Sequence, residues 1–388
     1  MKTFKKINPN EYGGLLYNEE KIEEIKKVLQ TKKIFRYSSR KISITDKLED
    51  CVKKYLDINF ALGLNSGTSA LKAALFAVGV KPGDRVLISS FTFIATAAVV
   101  ISLGAIPVPI DFDFNNCMNI DDLKTEMAKG CKVIVPVHIQ GRTFDLTKIV
   151  KLAKKNKIIV VEDACQAFAS KYFDKFAGTI GDVGVYSFQQ YKQISAGEGG
   201  MMVTNNEKVY KLAKIYSDHG MVRETMTWDD EMATIGDNYR MNNLQAAVIK
   251  IQIKKIKSIL KSQIKNRMYI LKHVGKVDNL INSPDIKGET GMNILFLLKN
   301  KETADLAIIN AREKNIEIRR LWDKPYYVHG VFKKFKLRPE DLDKNKCVVA
   351  EDISSRLVSI SIPPTLDQKN LNRIIREIRQ LKKIKIIS

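Results

Sequence analysis

The stretch KIIVVEDA, residues 157–164, sets four consecutive apolar residues against two acids. A run so β-branched and without polar alternation reads as a strand covered on both faces, the habit of a parallel sheet. Three further runs share the character: RVLISS from Arg85, KVIVPV from Lys132 and VGVYSF from Val183. Between such runs lie helix-like segments, among them SALKAALFAVGV from Ser69 and DLTKIVKLAKKN from Asp145. Repetition of strand, helix and strand predicts an α/β fold with a mainly parallel sheet flanked by helices. Ligand-binding residues of such a sheet gather at the carboxyl ends of the strands, which is where Glu162 and Asp163 stand.

Beyond GDNYRMNNLQAA, residues 236–247, the pattern changes. Leu244, Val248, Ile251, Ile256, Ile259 or Leu260, Ile264, Met268 and Leu271 recur at helical spacing and predict a helix bridging to a second unit. Strands are expected at NILFLLK from Asn293 and LVSISIPP from Leu357, and a last helix in LDQKNLNRIIREIRQLKKI from Leu366. The division expected is a large α/β unit over 1–255 and a smaller α+β unit over 256–388. PEDLDKNKCVVAED, residues 339–352, reads as a polar loop.

Composition narrows the function. The chain has 388 residues, 45% hydrophobic, with 65 Lys and Arg against 43 Asp and Glu, a formal net charge of +22. The lysines are spread along the whole length, as a solvated surface requires, and no helix-turn-helix or zinc finger accompanies them, so no specific nucleic-acid partner is expected. Cys51, Cys117, Cys131, Cys165 and Cys347 form no CxxC pair, and the four histidines no HxxxH. Neither a disulfide framework nor a metal is expected, and a reducing cytoplasm fits. MKTFKKINPNEYGGLLYNEE at the start lacks the apolar core of a signal peptide. The most membrane-like window, Phe93 to Ile110, is broken by Gly104, Pro107 and Pro109 into a helix, a turn and a strand, so no membrane span is expected.

Three segments carry chemistry. In LNSGTSALKAAL, residues 64–75, a strand turns through Ser66 and Gly67 into a helix whose first turn bears Thr68 and Ser69. Free amides and hydroxyls there make a phosphate cradle, or the hydroxyls simply cap the helix. In VVEDACQAF, residues 160–168, Asp163 ends a strand. Its carboxylate either caps a following helix or awaits a cationic partner, for which a pyridinium nitrogen would serve. In SFQQYKQISAGEGG, residues 187–200, Lys192 follows a strand-end serine and precedes glycines at 197, 199 and 200. It is an ordinary surface lysine, or one held beside a cofactor aldehyde to form a Schiff base, with a pKa lowered by burial.

Together, and in this order, these segments resemble the DegT/DnrJ/EryC1/StrS family of pyridoxal-phosphate-dependent aminotransferases of fold type I, which act mainly on keto sugars. The resemblance extends over nearly the whole chain and includes GVKPGDRVLISSFTFIATA from Gly79, GAIPVPIDFD from Gly104, VIVPVHIQG from Val133, SDHG from Ser217 and GDNYRMNNLQAA from Gly236. It implies that Lys192 forms the Schiff base with pyridoxal 5'-phosphate and Asp163 pairs with the pyridinium nitrogen. It places Gln166 near the cofactor's phenolate, Gly67, Thr68 and Ser187 at its phosphate, and Phe93 against its ring. It also implies a homodimer with shared sites, Asn238 of each chain completing its mate's phosphate pocket. His138 and His219 match family positions, with structural hydrogen bonding as their expected role.

The implied reaction takes an amino group from glutamate or glutamine to a keto sugar, nucleotide-linked or phosphorylated, or a related keto-polyol or cyclitol. Relatives that dehydrate sugars replace the lysine with histidine, so Lys192 speaks for amino transfer. Three departures bear on the acceptor. Gln189 and Gln190 follow SF where many members have His-Pro. GRTFDL from Gly141 brings Arg142, which is either an acceptor-pocket cation or an exposed loop residue. RRLWDKPYY, Arg319 to Tyr327, is unlike the usual pattern and is expected to shape the acceptor pocket.

Overall fold

A computed structural model describes residues 18–38, 42–335 and 346–387. All but the last three residues of MKTFKKINPNEYGGLLYNEE, and residues 339–345 of the expected polar loop, lie outside the described residues.

The apolar runs become the centre of the principal sheet. Its strands are β1 (Phe60–Leu64), β2 (Arg85–Ser89), β3 (Ile106–Ile110), β4 (Val133–Val135) and β5 (Ile159–Asp163). A short hairpin of β6 (Lys171–Tyr172) and β7 (Lys175–Phe176) leads on to β8 (Val183–Ser187) and β9 (Gly200–Thr204). The seven strands of the sheet lie in the order β1-β9-β8-β5-β4-β2-β3. Pairing is parallel from β8 through β5, β4 and β2 to β3, whereas β9 runs antiparallel to both β8 and β1. The carboxyl ends of β1, β2, β4, β5 and β8 therefore open on one edge, and β9 begins there, with Gly200 opposite both Leu64 and Ser187.

Val86, Leu87, Ile88, Val133, Ile134, Val135 and Val161 have no solvent exposure, as expected of strands covered on both faces. Full burial of such a side chain contributes about 1.5–3 kcal/mol. The window from Phe93 to Ile110 forms the helix Ile94–Ser102, a turn at Gly104 and the strand β3. Among the described residues no helix is long and apolar enough to cross a membrane.

A second sheet, ordered β10-β11-β13-β12, consists of β10 (Leu280–Ile281), β11 (Asn293–Leu297), β12 (Ile318–Arg320) and β13 (Leu357–Ser361), all antiparallel. With the helices Lys301–Glu313 and Gln368–Lys383 it encloses a core that includes Ile294, Phe296, Ile318, Ile360 and Ile374. Tyr326, Tyr327, Ala350 and Leu357 join the first core instead, so the later part of the chain leans on the large sheet.

Two expectations are corrected. The amphipathic stretch is two helices, Asn243–Lys254 and Ile256–Val274, parted at Lys255, and Ile264 and Met268 face outward at 38% and 53% exposure. The inner face of the second helix is partly polar instead. Gln263 accepts from Gln193 Nε2 at 2.7 Å, Asn266 Nδ2 donates to the Pro363 carbonyl at 3.1 Å, and Arg267 pairs with Glu289 at 3.0 Å. Specific partners here override apolar periodicity. In the expected polar loop, Cys347 is buried and Val348–Arg356 is helical. Asp111 accepts the amides of Val349 and Ala350 at 3.0 and 2.9 Å and so satisfies this helix's first turn from across the fold.

Candidate active site

At the end of β1, Ser66 caps the helix Gly67–Ala77 through a reciprocal pair. Its hydroxyl accepts the Ser69 amide, and the Ser69 hydroxyl accepts the Ser66 amide, each at 3.0 Å. The capping and cradle readings therefore hold side by side. Ser66 and Ser69 are consumed by the cap, while Gly67 and Thr68 stand in the helix's first turn, whose amides have no intrahelical acceptor, and Thr68 is exposed. A side chain at position 67 would bring a Cβ within 2.8 Å of the Ser187 Cβ and 3.0 Å of the Cys165 sulfur, so glycine keeps the cradle open.

At the end of β5, strand alternation sends neighbouring carboxylates to opposite faces. Glu162 turns into the scaffold. It pairs with His138 Nε2 at 2.8 Å and accepts the amides of Gly178, Ile180 and Gly181 at 2.8, 2.6 and 2.5 Å. Asp163 turns to the open edge, where Oδ2 accepts from the Thr96 hydroxyl at 2.8 Å and Oδ1 from the Cys165 amide at 3.1 Å. Turns rather than a helix follow Asp163, which sets aside the reading of it as a helix cap. Its carboxylate is 5% exposed, has two hydroxyl or amide donors and has no cation paired with it among the described residues.

Beyond β8 the chain folds back on itself. The amides of Phe188, Gln190 and Ala196 donate to the carbonyls of Gly199, Gly197 and Phe188, at 2.8, 2.9 and 3.0 Å. Gly197 takes a left-handed φ of 82°, which lets this loop close. Lys192 is thereby aimed at the strand ends. It shares a cavity of about 520 Å³ with Gly67, Thr68, Phe93, Asp163, Gln166 and Ser187. Burial holds the Lys192 ammonium below its usual pKa; Cys165 and Asp163 oppose that shift and the Arg319 charge adds to it. Burial likewise pushes the Cys165 thiol well up, with the Asp163 carboxylate adding to the effect.

Seven of the eight residues that the family resemblance assigns to the cofactor thus meet at one cavity. Asn238 does not line it; its carbonyl accepts from Asn65 Nδ2 at 3.3 Å. His138 is buried, with Nδ1 accepting the Phe144 amide at 3.3 Å, and serves the scaffold. His219 holds a left-handed φ of 60°; its amide donates to Asp237 and its carbonyl accepts from Trp228.

Arg142 is neither an acceptor-pocket cation nor an exposed loop residue. It is 2% exposed, donates to the carbonyls of Gln140 and Asn293 at 3.1 and 3.2 Å, and lies 3.4 Å from Glu289. The cation that does line the cavity is Arg319, accompanied by Leu321 and Trp322, within the segment expected to shape the acceptor pocket. Thr96, Gln140, Cys165, Tyr191 and Glu198 also line it without having been singled out. For Cys165 the signal was at hand, since it lies two residues after Asp163; the others are assembled only by the fold.

The site can hold a flat ligand with an anion at one end, a protonated ring nitrogen and a carbonyl at the other. The anion would meet the open helix start, the ring nitrogen Asp163, and the carbonyl the Lys192 amine.

A profile of the DegT/DnrJ/EryC1/StrS aminotransferase family matches residues 16–379. GDP-perosamine synthase of Escherichia coli O157:H7 is 27% identical over 343 residues, covering 88% of this chain and 91% of that protein. The UDP-4-amino-4,6-dideoxy-N-acetyl-beta-L-altrosamine transaminase of Campylobacter jejuni is 34% identical over 217 residues, 54% of this chain and 56% of its own. A crystal structure of a DegT DnrJ EryC1 StrS aminotransferase from Brucella abortus superposes with a TM-score of 0.82 at 25% identity, covering 93% of this chain and 95% of the other.

Proposed function

Since the chain belongs to the DegT/DnrJ/EryC1/StrS aminotransferase family and is a pyridoxal-phosphate-dependent aminotransferase, we propose that it moves the amino group of glutamate or glutamine to a keto sugar, nucleotide-linked or phosphorylated, or to a related keto-polyol. The single observation that carries this reading is the meeting of Lys192 and Asp163 in one cavity under an open helix start. The sugar class of the acceptor is taken from the relatives' names, which speak of GDP-perosamine and of UDP-linked amino sugars.

The residues fit the cofactor that the family implies. Gly67 and Thr68 amides with the Thr68 and Ser187 hydroxyls would hold its phosphate, Phe93 would cover its ring, and Gln166 would face its phenolate oxygen. Gln166 is already oriented by Gln140, whose Nε2 donates to its Oε1 at 2.9 Å. When bound, pyridoxal phosphate supplies a carbonyl that takes up the donor's nitrogen and a ring that delocalises the electron pair left on the donor's Cα. Asp163, fixed by Thr96 and the Cys165 amide, would hold the proton on the ring nitrogen. Lys192, whose ammonium pKa is lowered by burial, would anchor the cofactor and would serve as the amine that carries the proton away from the donor's Cα.

In the proposed division, the unit over 1–255 binds the cofactor and the unit over 256–388 brings Arg319 and Trp322 to the acceptor side. An adjoining cavity of about 950 Å³ shares Thr92, Phe93, Arg319, Leu321 and Trp322 with the first and offers room for an acceptor larger than a free sugar. Asn238, absent from its own chain's cavity, is assigned to the phosphate of a dimer mate. The five free thiols suit a cytoplasmic enzyme.

The test is spectroscopic. Glutamate or glutamine should discharge the visible band of the purified enzyme, and a keto sugar from a panel of nucleotide-linked, phosphorylated and cyclitol ketones should restore it. If neither donor changes the spectrum of cofactor-loaded protein, the donor assignment is wrong; if a donor discharges the band and only non-sugar ketones restore it, the acceptor class is wrong.

A further inference from the structure

Strand β12 carries two adjacent arginines, and the fold treats them differently. Ile318 points into the second core, and Arg320, two residues on, faces the same side, where its guanidinium donates to the carbonyls of Ser355 and Lys301 at 2.6 and 3.2 Å and to Asp305 at 2.8 Å. Arg319 faces the other side and lines the cavity that holds Lys192 and Asp163. Its Nε is buried without a hydrogen-bond partner, and it forms no ion pair with a carboxylate among the described residues, whereas Arg320 pairs with Asp305. Three arginines buried elsewhere in the fold have acids: Arg36 pairs with Asp46 and Glu49 at 2.8 and 3.0 Å, and Arg142 and Arg267 share Glu289. Arg319 is half-buried with its Nε withdrawn from water and unpaired, and a planar guanidinium fork matches a carboxylate.

Resting on the aminotransferase reading, we propose that Arg319 binds the carboxylate of the amino-acid donor. The donor's carboxylate sits on the carbon that bears its amino group. With that nitrogen in place of the Lys192 amine, the carboxylate must fall within a few ångströms of it. Arg319 is near enough for its charge to act on Lys192. The cofactor's phosphate is served elsewhere, at Gly67, Thr68 and Ser187. A phosphate on a keto sugar stands several bonds from the reacting carbonyl and would lie toward the adjoining cavity, where Arg312 and Lys324 also face.

The experiment uses holoenzyme and glutarate, a dicarboxylate with no amino group, followed by the change in the cofactor's absorbance. Wild-type protein should show saturable binding, Arg319→Gln should raise the half-saturating concentration about tenfold or more, and Arg319→Lys should fall between. The glutamate concentration that half-saturates discharge of the band should rise in parallel, with a smaller change in its limiting rate. Arg320→Gln, measured alongside, should leave both readings at wild-type values. Unchanged glutarate and glutamate saturation in folded, cofactor-loaded Arg319→Gln overturns the proposal. Inorganic pyrophosphate is titrated in the same way, and its loss of binding in Arg319→Gln with glutarate binding intact also overturns the proposal, because it would assign the cation to the acceptor's phosphate. Should neither glutamate nor glutamine discharge the wild-type band, the donor assignment fails, and the glutarate titration still decides whether Arg319 binds a carboxylate.

Discussion

Two pairs of like charges, Glu162 and Asp163 at the end of β5 and Arg319 and Arg320 in β12, are sorted by one rule with different results. In each pair, strand alternation turns one member into the scaffold and the other toward the cavity. Glu162 is saturated by a histidine and three amides, and Arg320 by an acid and two carbonyls. The cavity-facing members differ. Asp163 is held by two donors before any ligand arrives, whereas the Arg319 Nε has no partner. The sheet side of the site is thus preorganised, while on the side formed by the second sheet the proposed donor carboxylate would supply the missing partner.

Substitutions at the two pairs sharpen or break this comparison. The largest effect is expected for Asp163→Asn. An amide cannot stabilise a protonated ring nitrogen as a carboxylate does, so turnover should fall about 10²-fold, about 3 kcal/mol of transition-state stabilisation, with cofactor content and melting temperature near wild type. Parallel losses of folding and turnover would move Asp163 into the scaffold class. Glu162→Gln should do the reverse. Its amide group would confront amide donors now facing an anion, costing about 2 kcal/mol of folding stability in a denaturant titration, while turnover per folded molecule is kept. Arg320→Gln leaves two carbonyls without a donor at a partly exposed position and should cost about 1 kcal/mol in the same titration.

The smallest effect is a displaced pH profile. Burial lowers the Lys192 pKa in the fold, so its free amine appears below the ordinary 10.5. Capture of pyridoxal phosphate by apoprotein should rise with pH with a midpoint under that of a free lysine side chain. The unfolded chain holds this proton more tightly than the folded one. Its contribution to folding stability therefore increases with pH in the window between the lowered value and 10.5, and is lost below it. A capture profile matching free lysine would show that Lys192 is solvated.

The legibility of the site follows the same division. Ser66, Asp163, Ser187 and Lys192 lie at or just after strand ends, so a strand-and-loop reading of the sequence suffices to put them on one edge. Even there the sequence left the capping and cradle readings of the β1 turn unresolved, because which hydroxyls close the cap depends on side-chain geometry. Arg142 and Arg319 could not be told apart in sequence. The first is buried by carbonyls of residues 281 and 293, far along the chain, and the second is aimed by the burial of Ile318 in another core. The break at Lys255 and the polar face of Ile256–Val274 were hidden for a similar reason, since Gln263, Asn266 and Arg267 find their partners only in the assembled fold. The antiparallel course of β9 also depends on its tertiary partners, β8 and β1.

The central claim, that the lysine brought to these strand ends carries the cofactor, is tested most directly by borohydride reduction of the purified protein followed by peptide mass mapping. The account predicts one pyridoxyl-phosphate adduct per chain, on Lys192, and its loss in Lys192→Ala. An adduct on a different lysine, or none in protein that shows the visible band, would contradict it.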